Sequence, residues 1–143
     1  MTDVLTRRQR SYNMSQIKSR NTKPEVKLRN ILWLRGIRGY RINAKLFGRP
    51  DIVFPKSRVA VFIDGCFWHR CPQCFIRPST NRKFWDKKIS GNVRRDREVN
   101  RILKKDGWKV IRIWEHLIRT NINTCYMIIV RELGKRGFHH EPR

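Results

Sequence analysis

No apolar period is sustained over residues 1–20, and order is predicted to begin only at "TKPE", which starts with Thr22. Thr22 and Glu25 have the spacing of a capping box, in which each side chain answers the other's backbone N–H, and Pro24 suits a first helical turn. Leu28, Ile31, Leu32 and Arg35 then recur at helical spacing until Gly36, a residue type that stops helices. Short apolar runs predict strands over residues 40–43 and 51–54. The "VAVFI" run inside residues 58–64 is continuously apolar, which suits a strand buried on both faces, and "FPKSR" before it reads as a hairpin turn. Residues 66–78, rich in Cys and Pro, predict a loop. A helical period then covers residues 80–105, with Gly91 inside it, and "DGW" turns the chain into a strand over residues 108–114. Strand, helix and strand in that order make a parallel crossover. Ile122, Cys125, Tyr126, Ile129 and Leu133 form one stripe and predict a closing helix. There is no internal repeat. The pattern is that of a single α/β domain, residues 21–143, behind a flexible basic arm, residues 1–20, that waits for a partner.

Charge narrows the partner. Against 11 Asp and Glu, the 34 Lys and Arg leave a formal net charge of +23. Such an excess is suited to a polyanion, and nucleic acid is the first candidate, because each phosphate neutralised releases condensed counterions. No long apolar stretch, signal peptide or amphipathic basic helix at the start of the sequence points to a membrane. The expected compartment is therefore the cytoplasm, near the nucleoid. There the four cysteines are expected to be ligands or thiols rather than disulfides.

With so few acids, their positions carry information. In "GRPDIVF", Asp51 opens one predicted strand, and Asp64 closes the next after the hairpin, so antiparallel pairing would bring both carboxylates to one end of the sheet. Two acids there can hold a divalent ion for phosphodiester hydrolysis. Spacing alone leaves a second reading open, that both are strand-end residues paired with nearby Arg. Asp96 shares the stripe of Ile89, Val93, Val99 and Leu103, and a carboxylate on a packing face needs a partner; His69 or an Arg can supply it. Cys66, Cys71 and Cys74 have C-x₄-C-x₂-C spacing, whose second half is a common zinc knuckle. Two residues compete to be the fourth ligand: Cys125, on the apolar stripe of the last helix, and His116, just after the last strand.

Five stretches in order, "NMSQIKSRNTKPE", "GRPDIVF", "VFIDGCFWH", "KFWDKKISGNVRRD" and "GWKVIRIWE", resemble the very short patch repair (Vsr) endonucleases over residues 13–115. The resemblance implies a restriction-endonuclease-like core of the PD-(D/E)xK superfamily, a central mixed sheet flanked by helices, with a structural zinc. It implies Mg²⁺-dependent nicking of one strand beside the T of a T:G mismatch in double-stranded DNA. Matched by position, Asp51 and the Ile63 carbonyl would bind Mg²⁺, Glu25 would hold water at the ion, His69 would act as general acid or base, and Asp96 would orient it. The family's zinc position falls on His116, beside Cys66, Cys71 and Cys74. Phe67, Trp68 and Trp85 would wedge into the base stack, while Phe84 is expected to pack beside Trp85. Phosphate contacts would come from the arm and from Lys87, Lys88, Arg94 and Arg95.

Two departures stand out. There is no literal (D/E)xK, since Phe62, Ile63 and Asp64 occupy that strand end, and Asp64 stands where a histidine is familiar in the family. An ionised carboxylate can ligate metal or accept a proton but cannot donate one, which places more of the chemistry on His69. The implied working state is a monomer, with mismatch-repair proteins as candidate partners. Three alternatives remain: a restriction-type nuclease cutting both strands of paired DNA, a junction nuclease acting as a homodimer, and a non-catalytic zinc DNA-binding protein. Glu25, Asp51 and Asp96 argue against the last, because a pure binder gains nothing from carboxylates near phosphates.

Overall fold

In the computed structural model, which describes residues 22–137, helix α1 (Lys23–Leu34) ends where its sequence predicts. Gly36 takes φ 84°, so that the Ile37 N–H reaches the Leu32 carbonyl at 2.9 Å and the Gly36 N–H reaches that of Trp33 at 3.1 Å. This Schellman closure leaves Leu32 and Ile37 fully buried in one core cluster. The helix start differs from expectation. Thr22 contributes its carbonyl to the Val26 N–H at 3.0 Å but makes no side-chain capping bond, and Glu25 lies 3.9 Å from Arg29. The predicted arm, residues 1–20, lies outside the described residues.

Three strands form a mixed sheet in the order β1 (Ile52–Phe54), β2 (Val59–Asp64), β3 (Lys109–Trp114). β1 and β2 are antiparallel, joined by the predicted turn, in which Arg58 takes φ 54°. β2 and β3 are parallel, and the crossover is the long helix α2 (Arg82–Lys105), which continues through Gly91. It starts at Arg82 rather than residue 80 because Asn81 is left-handed, with φ 53°. The strand expected over residues 40–43 is reduced to one bridge, Arg41 with Val53. Gly39 at φ 83° and Asn43 at φ 56° bracket it, and neither backbone conformation can extend a strand. After β3 the chain enters a short helix that the sequence pattern does not predict, α3 (Glu115–Thr120), and then the expected α4 (Ile122–Lys135). Asn121 caps α4 by accepting from the Thr124 N–H at 3.2 Å. Among the described residues no helix is long and apolar enough to cross a membrane.

Strand alternation sorts the sheet into two cores. Val59 and Val61 of β2, with Ile111 and Ile113 of β3, pack with Leu28 and Leu32 of α1, Ile118 of α3, and Cys125, Ile129 and Leu133 of α4. Ala60 and Phe62 fall on the other face with Val99 and Leu103 of α2. By the same parity Asp64 follows Phe62, and Arg112 follows Val110, so two charged residues are carried beneath α2 at the end of the smaller core.

The chain approaches β1 through a loop pressed against α2. A Cβ on Gly48, whose φ is 83°, would stand 2.4 Å from Val99 Cγ1, and valine has little rotamer freedom with which to yield. Gly48→Ala is expected to cost about 2–3 kcal/mol in chemical unfolding, from left-handed strain and overlap together. Adding Val99→Ala should remove the overlap, so the double variant should be more stable than the two losses sum to; strict additivity would show that the loop does not bear on the helix.

Candidate active site

Asp51 sits immediately before β1, and two bonds tie it to β2. Its N–H donates to the Val61 carbonyl at 2.9 Å, and its Oδ2 accepts from the Ile63 N–H at 2.6 Å. The antiparallel hairpin thus brings Asp51 to the end of β2 that carries Ile63 and Asp64, as the sequence predicts. Burial pushes the Asp51 carboxyl up to about 7; the Ile63 N–H opposes this, and the negative charges of Glu25 and Asp64 add to it. A desolvated carboxyl near two further acids and a strand-end backbone carbonyl has the oxygen chemistry that suits a hard divalent cation, while the acid-bearing group whose ligand atoms lie within 4.8 Å of one another among the described residues is Asp64, His69 and Asp96.

His69 and Asp96 meet beside this acid cluster. His69 Nδ1 lies 2.5 Å from Asp96 Oδ2 and 3.9 Å from Asp64 Oδ1. Burial alone would lower the imidazole pKa, but the bond to Asp96 and the charges of Asp64 and Asp96 outweigh it and raise the pKa. Since Nδ1 is engaged by Asp96, Nε2 is the nitrogen free to face a substrate. The partner predicted for Asp96 as "His69 or an Arg" is both, because Arg112 Nη1 lies 3.5 Å from Asp96 Oδ1.

Arg112 also donates to Asp64 Oδ1 at 3.0 Å and, through Nε, to Asn100 Oδ1 at 2.7 Å. Its guanidinium lies 4.2 Å from the centre of the Phe62 ring. The second reading of the acids, as partners of an Arg, therefore describes Asp64 but not the contacts of Asp51 given above. Burial raises the Asp64 pKa against the opposing charges of His69 and Arg112. Arg112 and Asn100 escape sequence reasoning. A signal was present, however: a charged residue inside the otherwise apolar run "VIRIW" calls for a counter-charge where the strand packs.

The cysteine loop gathers as its spacing suggests. Ligand atoms of Cys66, Cys71, Cys74 and His116 all lie within 4.8 Å of one another, and His116 Nδ1 is 3.3 Å from Cys66 Sγ and 3.5 Å from Cys71 Sγ. A tetrahedral ion with metal–sulfur bonds of about 2.3 Å needs donors separated by roughly 3.5–4 Å, so these four residues fit one. Burial pushes the Cys66 thiol up to about 11; at Cys71 burial acts the same way but is outweighed by backbone donors at Gln73 and Cys74, which lower its pKa. Cys125, the competing fourth ligand, is fully buried in the larger core. His116 reaches the cluster from the first turn of α3.

The same loop carries an aromatic shelf. Phe67 packs edge-on against Trp68 at 5.2 Å and against Trp85 at 5.4 Å, and Trp68 lies 5.9 Å from Trp85. Trp68 nevertheless keeps 45% of its surface exposed. Phe84 meets Trp85 edge-on at 5.1 Å, as expected, yet is the more exposed ring at 57%. Asn92 Nδ2 donates to the Trp68 carbonyl at 3.1 Å and ties the shelf to α2. Lys87 and Arg94, like Lys88 and Arg95, stand two turns apart on that helix, and all four are exposed on one face. Lys88 Nζ lies 5.4 Å from the Trp68 ring centre, so the basic face and the shelf adjoin.

The family described as DNA mismatch endonuclease Vsr matches residues 2–74. The type II nicking enzyme V.NaeI of Lentzea aerocolonigenes is 46% identical over 112 residues, 75% of this chain and 68% of its own. V.NmeDIP, a type II nicking enzyme of Neisseria meningitidis serogroup C, is 42% identical over 125 residues, 86% of this chain and 84% of its own. The DNA mismatch endonuclease Vsr of Escherichia coli K12 is 39% identical over 122 residues, 83% and 77% of the two chains. On this shared length and identity, the chain belongs to the Vsr family of DNA mismatch endonucleases.

Proposed function

We propose that this strand-nicking mismatch endonuclease cuts one strand of duplex DNA beside the T of a T:G mismatch, with Mg²⁺ at Asp51 and the Ile63 carbonyl and a structural Zn²⁺ on Cys66, Cys71, Cys74 and His116. The observation that carries this reading is the 2.5 Å contact of His69 with Asp96, formed next to Asp51 on the loop that also bears the exposed Trp68. When bound, Mg²⁺ would supply Lewis-acid polarisation of a phosphoryl oxygen and activation of water. Asp51 and the Ile63 carbonyl would hold it, and Glu25 would order water beside it. His69 holds or moves a proton at Nε2, and Asp96 keeps its ring in place. Asp64 adds negative charge on the Nδ1 side.

Recognition follows from the shelf and the helix. Trp68 enters the base stack with Phe67 and Trp85 behind it, and a mispair lowers the cost of unstacking. Lys87, Lys88, Arg94 and Arg95 contact phosphates, which positions the duplex without reading its sequence. A monomer is the proposed working form. The bacterial cytoplasm is the proposed compartment, and mismatch-repair proteins are the candidate partners.

Labelled duplexes, paired or carrying T:G, incubated with and without Mg²⁺, test the reading: nicking is expected on one strand, at the mismatch, and only with the ion. Double-strand cleavage of paired DNA would replace it with a restriction-type activity. Trp68→Ala should narrow the binding preference for mismatched over paired duplex by about 1–3 kcal/mol, the worth of one stacked aromatic. Equal weakening on both duplexes would assign Trp68 to packing.

Asp51→Asn should abolish nicking while DNA binding survives or tightens, since the carboxylate repels phosphate. It should also stabilise the protein in Mg²⁺-free buffer. A carboxyl whose pKa is raised from 3.8 to about 7 on folding favours the folded state below its unfolded value, and that advantage is lost as pH rises through about 7. Above that range the buried charge is a cost that asparagine avoids while still accepting from Ile63, so the gain at pH 8 should be about 1–3 kcal/mol by thermal melting. Normal nicking by this variant would place the chemistry elsewhere.

The purified protein should carry one Zn²⁺ per chain by elemental analysis, and chelation should lower its melting temperature, because thiolate ligation adds directly to folding energy. Full zinc content in a Cys71→Ser, Cys74→Ser variant would refute this ligand set.

A further inference from the structure

We infer that Arg112 is a positioning residue for the nicking reaction, bridging Asp64 and Asp96 and occupying the Asp64 oxygen nearest His69 so that Asp96 alone engages the His69 ring. The inference rests on the reading of His69 as the group that moves a proton.

The argument starts from a conflict among charges. His69 Nδ1 has two carboxylates within reach, Asp96 Oδ2 at 2.5 Å and Asp64 Oδ1 at 3.9 Å. The direction of the ring, and therefore of Nε2, depends on which one Nδ1 follows. Arg112 removes the ambiguity by donating to Asp64 Oδ1 at 3.0 Å, the oxygen that faces His69. Its other donors run to α2, to Asn100 Oδ1 at 2.7 Å and to the Asp96 backbone carbonyl at 3.5 Å, and its Cζ lies 4.2 Å from the centre of the Phe62 ring. The planar fork thus joins β2, β3 and α2 around the two acids. A lysine ammonium offers a single point of charge and cannot reproduce those directions.

Asp64 gains a defined part in this arrangement. With Arg112 it forms a pair that is neutral as a unit, so removing either member alone leaves an uncompensated charge beside His69. Without Arg112, Asp64 competes with Asp96 for Nδ1. Without the Asp64 charge, Arg112 turns to Asp96, 3.5 Å away, and competes with His69 for it. Removal of both leaves Asp96 as the sole partner of the ring. An Asp64 that acted directly on metal or proton would give the opposite pattern, because no second substitution could restore it.

Single-turnover nicking of a T:G duplex at saturating protein, with the DNA Kd measured in parallel, separates these cases. Arg112→Gln and Asp64→Asn should each slow nicking by about 10- to 100-fold, the usual loss for a group that orients a catalytic one, with Kd little changed. The Asp64→Asn, Arg112→Gln double variant should nick faster than either single variant, a coupling that independent structural damage does not produce. Arg112→Lys, which preserves charge and most of the volume, should be slowed like Arg112→Gln and serves where the glutamine variant does not fold. A native rate for either Arg112 variant overturns the inference, as does a double variant no faster than Asp64→Asn. His69→Ala is the reference: if it nicks at the native rate, the proposed proton-transfer role fails, whatever Arg112 does.

Discussion

The parallel pairing of β2 with β3 is the constraint on which the site depends. Its register sets Phe62 opposite Arg112 and Asp64 opposite Trp114. Side chains alternate between faces, so the hydrophobic pattern that fills the two cores also decides that Asp64 and Arg112 come out under α2 rather than against α1, α3 and α4. A slip of one residue would send both charges into the larger core, where Leu28, Ile118, Ile129 and Leu133 offer no partner. Packing energy therefore enforces the geometry of the polar centre. The long helix that makes the parallel crossover possible then delivers Asp96 and Asn100 from above.

The protein is strongly basic, yet its centre gathers Glu25, Asp51, Asp64 and Asp96. Two of them are costly to ionise there: burial raises Asp51 to about 7 and shifts Asp64 upward. The compensation is local. Ile63 N–H answers Asp51, while Arg112 and His69 answer Asp64 and Asp96. The basic residues exposed on α2 stand over this acidic centre, so the two signs of charge are separated within one face of the protein.

The loop after β2 joins three functions in a short length of chain. Cys66, Cys71 and Cys74 converge with His116, and between the first two of these cysteines stand Phe67, Trp68 and His69. A loop without regular secondary structure has little rigidity of its own, and here the convergence of its cysteines on His116 and the Asn92 bond to the Trp68 carbonyl tie it to α3 and α2. The question raised by so dense a stretch, an apolar strand followed at once by acid, cysteine, aromatics and histidine, has a geometric answer. Strand β2 ends at the acids, the cysteines of the turn converge on His116, and the side chains between them stand beside Asp96 and α2.

Sequence by itself determined the elements and most of the candidate residues. Period 3.6 in Leu28 to Leu32 and in the Ile122 to Leu133 stripe, the continuous apolar run of β2, and glycines at the helix ends are local signals, and local backbone preference enforces them. The gathering of Cys66, Cys71 and Cys74 was legible because two of the intervals are short. Other features were decided only by tertiary structure. The strand expected at residues 40–43 shrank to one bridge because left-handed backbone at Gly39 and Asn43 interrupts it, and the capping bond expected of Thr22 did not form. Arg112 and Asn100 lie far from Asp64 in the chain, so no spacing rule connects them. They meet because two strands pair in parallel and a helix packs across them, and long-range packing of that kind sums over many weak contacts that no short stretch of sequence contains.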